Sequence, residues 1–475
     1  MKKIYISMLS VVLIIMSTGC DDKSFLDVNS RERVEAGDSE EVYSPEMFVN
    51  GVYGMFTDWV YAFSYLGITE IISDNADKGS SASDTGGDKD VLDNLTYTSS
   101  SGSVEEMWRY WYKSIGRATQ AIEYTENYGL TDESYKNRLI GECKFLRALN
   151  YFYLVRGWGA VPVQAGDLGT RVSVPDVYAY IEQDLLDAIQ VLPLKSEYSP
   201  DDLGRATKGA ARALLSKVYL YQNDWANAYA YADTVLTSGE YGLEADYAAI
   251  WRASAENGTE SIFEFQARGE STAHGIQQYS QTQGARGTSG WGWGFNVPSR
   301  SLLDDYNDSG DAIRRDATII FPGETLWDGR YVDSGVENPM YNYKAYSSAN
   351  AGADDTDKNI RYLRLGEVYL IFAEAANELG RTQEALTALN TVRERVDLDA
   401  VTTADRDGLR TAIWHERRLE LAFEHDRWFD LVRTGQAASA MDAAGKTFVP
   451  GKHELFPIPE EQLLETPEME QNPGW

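Results

Sequence analysis

The clearest periodic pattern in the chain lies between Tyr362 and Val396. Apolar residues recur at one-face helical spacing on both sides of a Gly-Arg-Thr break, at Tyr369, Phe372, Ala373, Ala376, Ala385, Leu389 and Val392. The small residues mark where two antiparallel helices approach closely. The pattern predicts a helix pair of the tetratricopeptide repeat (TPR) type, whose period is about 34 residues. Because such a pair cannot bury its own apolar face, further pairs are expected.

A second pair is predicted from Thr207 to Leu236. Residues Leu215, Ser216, Tyr219 and Ala228 occupy the same relative positions as Phe372, Ala373, Ala376 and Ala385 in the later pair. Amphipathic patterns also cover residues 104–157 and 175–222. The sequence therefore predicts a mainly α fold in one domain, 45–475, with about four TPR-type units at 104–157, 175–222, 207–236 and 362–396. We expect them to form a right-handed superhelical scaffold.

A loop-rich insertion, residues 241–357, separates the two matching units. It is rich in Asn, Asp and Gly, with short strand-like stretches at Ser261 to Phe265 and Thr318 to Phe321. A loop region of this size within a helical scaffold is where function is usually carried. Elsewhere we expect a loop over residues 74–92 and one helix over residues 405–432.

The N-terminus reads as an export signal. Lys2 and Lys3 precede an apolar stretch that is too short to span a bilayer, and Ser-Thr-Gly-Cys20 follows. We interpret residues 1–19 as a signal peptide, Cys20 as a lipidated cysteine and residues 20–44 as a lipidated tether; a signal peptide cleaved without lipidation is the alternative. The other cysteine, Cys143, lies in an apolar helix and is predicted to be a small core residue.

The charge balance argues against one class of partner. The chain has 475 residues, with 43 Lys and Arg against 74 Asp and Glu, which gives a net charge of −31. Nucleic acids and anionic membrane surfaces are bound through basic patches. We therefore expect no nucleic-acid partner.

No motif for nucleotide binding, metal-dependent hydrolysis or a nucleophilic serine is found in the sequence, and the four histidines lack ligand spacing. We predict no catalytic residue, no metal and no cofactor, although a glycosidase carboxylate pair stays open among so many acids. Asp305 to Asp316 imitates a Ca²⁺ loop, and the alternative is a turn that leads into a strand. The charged run from Glu416 to Asp430 has the spacing of ion pairs between packed elements.

Aromatic residues of the insertion are the best ligand candidates. Trp291 and Trp293 alternate with glycines, which we expect to leave the rings exposed on a loop. Flat aromatic faces suit the apolar faces of sugar rings. The predicted ligand-binding aromatics are Trp291, Trp293, Trp327, Tyr279, Tyr341 and Tyr343; the alternative is that they pack the insertion onto the scaffold.

These segments together resemble the SusD/RagB lipoproteins of Bacteroidetes. The resemblance rests on residues 20–27, 141–162, 204–228, 362–396, 416–435 and 455–475, above all on Glu-Arg-Arg…Arg-Trp-Phe-Asp-Leu and the ending Pro-Ile-Pro…Gln-Asn-Pro-Gly. It implies a surface-exposed lipoprotein of the outer membrane. Such a protein captures a glycan without cleaving it and delivers it to a SusC-like TonB-dependent transporter.

The family's ligand site does not carry over by motif. Position alone adds Asp74 and Asn75 to the candidate ligand-binding residues. Two other functions stay open: a purely structural TPR partner of the transporter, and a lipid-anchored glycosidase. The identity of the glycan, and whether the ligand is instead a peptide or glycopeptide, also stay open.

Overall fold

Several of the long helices begin where the sequence supplies a capping side chain. In the computed structural model, the Asp132 carboxylate caps one of them by accepting a hydrogen bond from the Tyr135 backbone N–H at 3.1 Å. Thr207 caps its helix in the same way through the Ala210 N–H, at 3.0 Å. The structure describes residues 43–81, 83–84, 87–163, 169–269, 275–352 and 355–475. The predicted signal peptide, Cys20 and nearly all of the tether lie outside these ranges.

The fold is mainly helical, as predicted. Along the described residues the α-helices are α1 Pro45–Tyr53, α2 Ser64–Leu66, α3 Gly87–Asp93, α4 Gly102–Asn127, α5 Glu133–Trp158, α6 Val174–Val191, α7 Lys208–Tyr221, α8 Trp225–Leu236, α9 Tyr279–Gln283, α10 Arg300–Asp308, α11 Ala312–Thr318, α12 Leu365–Glu378, α13 Thr382–Glu394, α14 Arg406–Glu420, α15 Arg427–Arg433, α16 Ala437–Ala443 and α17 Glu460–Glu465. Short 3₁₀ segments and one π-helical turn, Gly67–Ile71, connect them.

The scaffold is a stack of neighbouring helices. Helices α4, α5, α6, α7 and α8 pack each on the next, and α8 then packs on α12 across the insertion. The Tyr229 and Phe372 rings meet at that junction, with centroids 4.5 Å apart. Ala373 and Ala385 are fully buried, which fits their predicted role at close helix approaches. The two units that match in sequence are therefore also neighbours in space.

Three two-stranded antiparallel sheets lie beside this stack. The strands are β1 Ala76–Gly79, β2 Ser261–Phe265, β3 Phe295–Pro298, β4 Ile319–Ile320, β5 Tyr341–Asn342 and β6 Ile360–Arg364. The pairs are β1 with β3, β2 with β6, and β4 with β5. The β2–β6 pair closes the base of the insertion, because β2 follows its start and β6 leads directly into α12. The strand predicted at Ser261 to Phe265 is confirmed.

Two regions differ from the expected elements. Residues 74–92 contain β1 and most of α3 instead of a loop only. The single helix expected over residues 405–432 is two helices, α14 and α15, separated by residues with positive φ at Phe423 (63°) and His425 (72°). Both side chains are buried, so tertiary contacts hold a backbone conformation that the helical pattern does not reveal.

Buried ion pairs join α14 and α15 to the rest of the molecule. Arg364 of β6 contacts Glu260 at 2.8 Å, Glu420 at 2.6 Å and Glu424 at 2.6 Å. Arg417 contacts Asp430 at 2.9 Å. The prediction that this charged run forms ion pairs is confirmed. Cys143 is fully buried, as predicted, and burial raises the pKa of its thiol.

Candidate functional site

An aromatic cleft lies on the surface of the insertion. It is lined by Trp291, Arg330, Tyr346, Ser280, Ser347 and Thr356, with neighbouring small residues, and has about 310 Å³ of free space, including the solvent at its mouth. The Trp291 and Tyr346 rings meet edge to face, with centroids 5.6 Å apart. The Arg330 guanidinium lies 4.8 Å from the centroid of the Trp291 ring. The cleft therefore combines aromatic surface, one cation and several hydroxyls.

An exposed hairpin, residues 323–332, forms one side of this region. The backbone N–H of Leu326 donates to the Arg330 carbonyl at 2.8 Å, and Gly329 takes a φ of 90° at the tip. Its two large aromatic side chains face solvent, since Trp327 is 50% exposed and Tyr331 is 56% exposed. Both rings are therefore accessible to a ligand.

A short series of contacts links the hairpin to the cleft. The Trp327 N–H donates to the Tyr343 hydroxyl at 3.1 Å, and the Tyr343 and Tyr346 rings are 5.9 Å apart at 62°. Tyr346 then contacts Trp291. The structure thus brings together three predicted residues, Trp291, Trp327 and Tyr343. Arg252 lies over the Trp327 ring at 5.4 Å.

Asp328 holds the hairpin tip against the floor of the cleft. Its carboxylate accepts hydrogen bonds from the Tyr346 hydroxyl at 2.8 and 3.0 Å and from the Ala349 N–H at 2.5 Å. Burial alone would raise the pKa of Asp328, but these donors outweigh it and lower the pKa below its usual value. Asp328 is therefore an ionised anchor for Tyr346.

The glycines around Trp291 and Trp293 have a different role from the one expected. The segment lies against residues 281–285: the Trp291 N–H donates to the Ala285 carbonyl and the Trp293 N–H to the Gln281 carbonyl, at 2.9 and 2.8 Å. A Cβ on Gly292 would lie 2.3 Å from the Gln281 carbonyl oxygen. The glycines allow close backbone packing, and both tryptophans are half-buried instead of fully exposed.

Two other predicted aromatics are buried. The Tyr279 hydroxyl lies 3.1 Å from Nε2 of His425, inside the core. Tyr341 is fully buried in β5, where its hydroxyl accepts from the Asn338 N–H at 2.9 Å and donates to the Arg286 carbonyl at 3.2 Å. Both side chains support the insertion from within.

Asp74 and Asn75 are also buried, beneath β1. Arg427 binds the Asp74 carboxylate through two hydrogen bonds of 2.7 Å, and Arg418 donates to the Asn75 side-chain oxygen at 2.9 Å. Burial acts to raise the pKa of Asp74, but Arg427 and Arg418 lower it to about 2. Asp74 is therefore an ionised anchor between β1 and α15.

The remaining predictions from the sequence concern metal binding. Among the described residues, no group of three or more His, Cys, Asp or Glu side chains is arranged to hold a metal ion. In the Ca²⁺-loop imitation, Asp305 instead contacts Arg418 at 2.9 Å and His415 at 2.7 Å. The segment passes through α10 and α11 into β4, so it leads into a strand, as the alternative expected.

Sequence reasoning missed Arg330, Tyr346 and Tyr331. Two of them follow within four residues of Trp327, in Trp-Asp-Gly-Arg-Tyr, a turn sequence with aromatics on both sides. That signal would have identified the hairpin. The contact of Trp291 with Arg330 and Tyr346 has no such signal, because it joins segments that lie 39 and 55 positions apart.

The fold and the site together define a class of protein in which a helical repeat scaffold presents an aromatic cleft on its loops. Two family models match the chain: residues 323–475 match the SusD family, and residues 24–220 match a family described as starch-binding and associating with the outer membrane. The resemblance seen in the sequence is confirmed. The similarity to SusD-type proteins extends over both the N-terminal and the C-terminal parts of the chain.

Known relatives cover most of the chain. SusD-like protein P2 of Formosa agariphila is 28% identical over the whole of both chains. Starch-binding protein SusD of Bacteroides thetaiotaomicron is 25% identical over 81% of each. The solved structure of a laminarin-binding SusD-like protein superposes with a TM-score of 0.78 at 29% identity, covering 91% of this chain and 99% of that one.

None of the helices in the described part of the chain is both long and apolar enough to cross a bilayer.

Proposed function

We propose that this chain is a cell-surface lipoprotein that captures an oligosaccharide or polysaccharide and delivers it to a SusC-like TonB-dependent transporter of the outer membrane. The observation that carries the proposal is the aromatic cleft of Trp291, Tyr346 and Arg330, extended by the exposed hairpin. The laminarin-binding structural relative and the starch-binding relative support a glycan as the ligand.

The proposed contact residues are the accessible members of this region. Trp291 offers its half-buried ring in the cleft, and Trp327 offers a ring that is half exposed at the hairpin tip. Trp293 and Tyr343 are also partly accessible. Sugar rings stack on such faces through their apolar C–H surfaces, while nearby hydroxyls and amides pair with the sugar hydroxyls.

The buried candidates are proposed to act indirectly. Tyr341 and Tyr279 hold the insertion by hydrogen bonds, and Asp74 and Asn75 join β1 to α14 and α15. None of the four has a side chain that faces solvent. Their substitution should reduce stability first, and ligand affinity only as a consequence.

The membrane anchor and the transporter complete the proposal. Lipidation at Cys20 would tether the domain to the outer leaflet, since two or more acyl chains give stable anchoring. Stacked TPR-type helices commonly serve as protein-binding surfaces, which fits a scaffold docked on a transporter. A Cys20→Ala variant should leave the membrane fraction, and it should no longer copurify with a TonB-dependent transporter from detergent-solubilised outer membranes. Retention of the variant in the membrane would contradict the anchor.

Affinity electrophoresis against a panel of neutral and acidic polysaccharides tests the ligand. Trp291→Ala and Trp327→Ala should each weaken retardation by about 5- to 30-fold, which corresponds to about 1–2 kcal/mol per stacked ring. Tyr128→Ala removes an exposed aromatic from the end of α4 and is the matched control, with no expected effect.

The same panel separates the alternatives. A chain that no polysaccharide retards is a structural partner of the transporter and not a glycan receptor. Release of reducing sugar during incubation would instead support a lipid-anchored glycosidase.

A further inference from the structure

The Arg330 side chain lies in the aromatic cleft without a carboxylate partner. Its Nη2 donates to the carbonyl oxygens of Ser348 at 3.4 Å and Ala349 at 3.1 Å. Its Nε and Nη1, which carry three N–H bonds, make no hydrogen bond to any residue that the structure describes. Among the described residues, no carboxylate oxygen lies within 4 Å of the Arg330 guanidinium nitrogens. The chain has 74 acidic residues, yet this half-buried cation pairs with none of those that the structure describes.

Ser347 provides a second unpaired group in the same cleft. Its side chain lines the cleft and the residue is only 3% exposed, yet its hydroxyl has no hydrogen-bond partner among the residues that the structure describes. A buried hydroxyl left without a partner costs free energy that a bound ligand can recover. Arg330 and Ser347 therefore both offer unsatisfied hydrogen-bonding capacity within one cavity.

The geometry of Arg330 leaves its charged edge available. The Arg330 guanidinium lies over the Trp291 ring, 4.8 Å from its centroid, and 5.7 Å from the centroid of the Tyr346 ring. The N–H bonds of a guanidinium lie in its plane and point outward. The free Nε and Nη1 atoms lie on different edges of the group, so they offer separate donors, each able to make a charge-assisted hydrogen bond to one oxygen of a carboxylate or a sulfate.

Asp328 is a nearby charge that opposes an anionic ligand. Its oxygens already accept hydrogen bonds from the Tyr346 hydroxyl, the Ala349 N–H and the backbone N–H of Arg330, the last at 3.3 Å. It makes no ion pair with the Arg330 guanidinium. More distant acidic residues act weakly, because physiological salt screens charges beyond about 8 Å.

We propose that the cleft selects a glycan with an anionic substituent, a uronic acid carboxylate or a sulfate ester, which the Arg330 guanidinium binds while a neighbouring sugar ring stacks on Trp291. The inference rests on the proposed glycan-binding function and specifies its substrate class. Ser347 supplies a hydrogen bond to the same sugar unit.

Paired probes that differ only in charge test this proposal. Polygalacturonate is compared with its fully methyl-esterified form, and sulfated laminarin with unmodified laminarin, by affinity electrophoresis and titration calorimetry. The first pair tests a carboxylate and the second a sulfate. The variants are Arg330→Gln, which removes the charge, and Arg330→Lys, which keeps the charge but loses the planar fork. Arg109→Gln, on the exposed face of α4, is the control for loss of one positive charge.

The charged member of at least one pair should bind about tenfold or more tightly than its neutral counterpart. Arg330→Gln should abolish that preference, Arg330→Lys should retain a small part of it, and Arg109→Gln should leave it unchanged. The preference should also weaken as sodium chloride is raised from 50 to 500 mM, because the contact is ionic.

Three results would overturn the inference while leaving the proposed function intact. These are equal binding of both members of each pair, tighter binding of the neutral members, and an Arg330→Gln variant that weakens charged and neutral glycans by the same factor. Absence of binding to every polysaccharide would instead reject glycan capture itself, and the charge preference with it.

Discussion

Replacement of Asp426 by asparagine is expected to lower the free energy of unfolding by about 3–5 kcal/mol. Asp426 is buried between α14 and α15 and is the common partner of two buried cations. Its carboxylate accepts a hydrogen bond of 2.7 Å from Arg156 of α5 and a second from Lys217 of α7. The residue thus joins the C-terminal helices to two scaffold helices at once.

The magnitude follows from the loss of two charge attractions, offset in part by the desolvation that the carboxylate no longer suffers. At an effective dielectric constant of about 20, a charge pair near 4 Å is worth roughly 4 kcal/mol, so two pairs give about 8 kcal/mol. The carboxylate no longer pays its own desolvation, which returns several kcal/mol. Lys217 also keeps Glu367 at 3.0 Å, whereas Arg156 has no other carboxylate within 4 Å among the described residues. An uncompensated buried cation therefore remains in the variant.

Urea denaturation followed by circular dichroism measures the effect. Asp304→Asn is the matched control, because Asp304 pairs with Arg300 on the surface, and such pairs contribute about 0–1 kcal/mol. If Asp426→Asn costs no more than Asp304→Asn, the reasoning about buried charge is refuted.

The pH dependence of the stability difference between wild type and Asp426→Asn gives a second check. Burial acts to raise the pKa of Asp426, but Lys217 and Arg156 outweigh it and lower the pKa below its ordinary value. A depressed carboxyl pKa stabilises the fold above the unfolded-state pKa, near pH 4, and that contribution is lost as pH falls further. The difference between wild type and Asp426→Asn should therefore shrink below about pH 4. A stability difference that does not change with pH would contradict the lowered pKa of Asp426.

Three further predictions concern one buried acid and two glycines. Burial raises the pKa of Glu70 to about 8, so between about pH 4.5 and 8 the carboxyl ionises in the unfolded chain but stays protonated in the fold, which lowers the stability as pH rises; Glu70→Gln should gain stability over wild type by about 1.4 kcal/mol per pH unit in that window, and a flat difference in urea midpoints would refute this. Gly292→Ala should cost about 1–3 kcal/mol and weaken glycan retardation, because its Cβ meets the Gln281 carbonyl oxygen. Gly116→Ala, in an open position of α4, should instead stabilise the protein by about 0.5–1 kcal/mol in the same urea denaturation assay.

The scaffold could be predicted because its information is local. A helical period with alanines at fixed positions identifies Thr207 to Leu236 and Tyr362 to Val396 without any knowledge of distant contacts. That the two units also contact each other, through rings such as Tyr229 and Phe372, is seen only in the structure.

The break between α14 and α15 could not be predicted from the same period. Residues 421–426 continue the helical pattern in sequence, yet Phe423 and His425 adopt positive φ. The cause lies elsewhere in the chain: the His425 backbone N–H donates to Glu70, and its ring contacts Thr69 and Tyr279, at 3.1 Å each. Such contacts become visible only when distant segments are placed together.

The candidate site falls between these two cases. Residue type and loop position identify Trp291 and Trp327 as accessible aromatics. The partners that turn Trp291 into one wall of a cleft, Arg330 and Tyr346, lie on another loop. The exposure of a ring is likewise set by packing, which is why Tyr341 is fully buried although it is as polar as Tyr331.

The pairing of β2 with β6 has a consequence for how new specificities arise in this fold. Both ends of residues 266–359 are fixed at one short sheet, so this segment behaves as a cassette that can be exchanged while the packing of α8 on α12 stays the same. Several positions within the cassette limit the exchange. Among them, Arg314 and Lys344 contribute to the ion pairs of Glu420 and Glu424, at 2.9 and 2.8 Å. A transplanted binding loop must therefore bring its own cations to those two places, or Glu420 and Glu424 keep only the counter-charges that Arg364 and Arg395 supply.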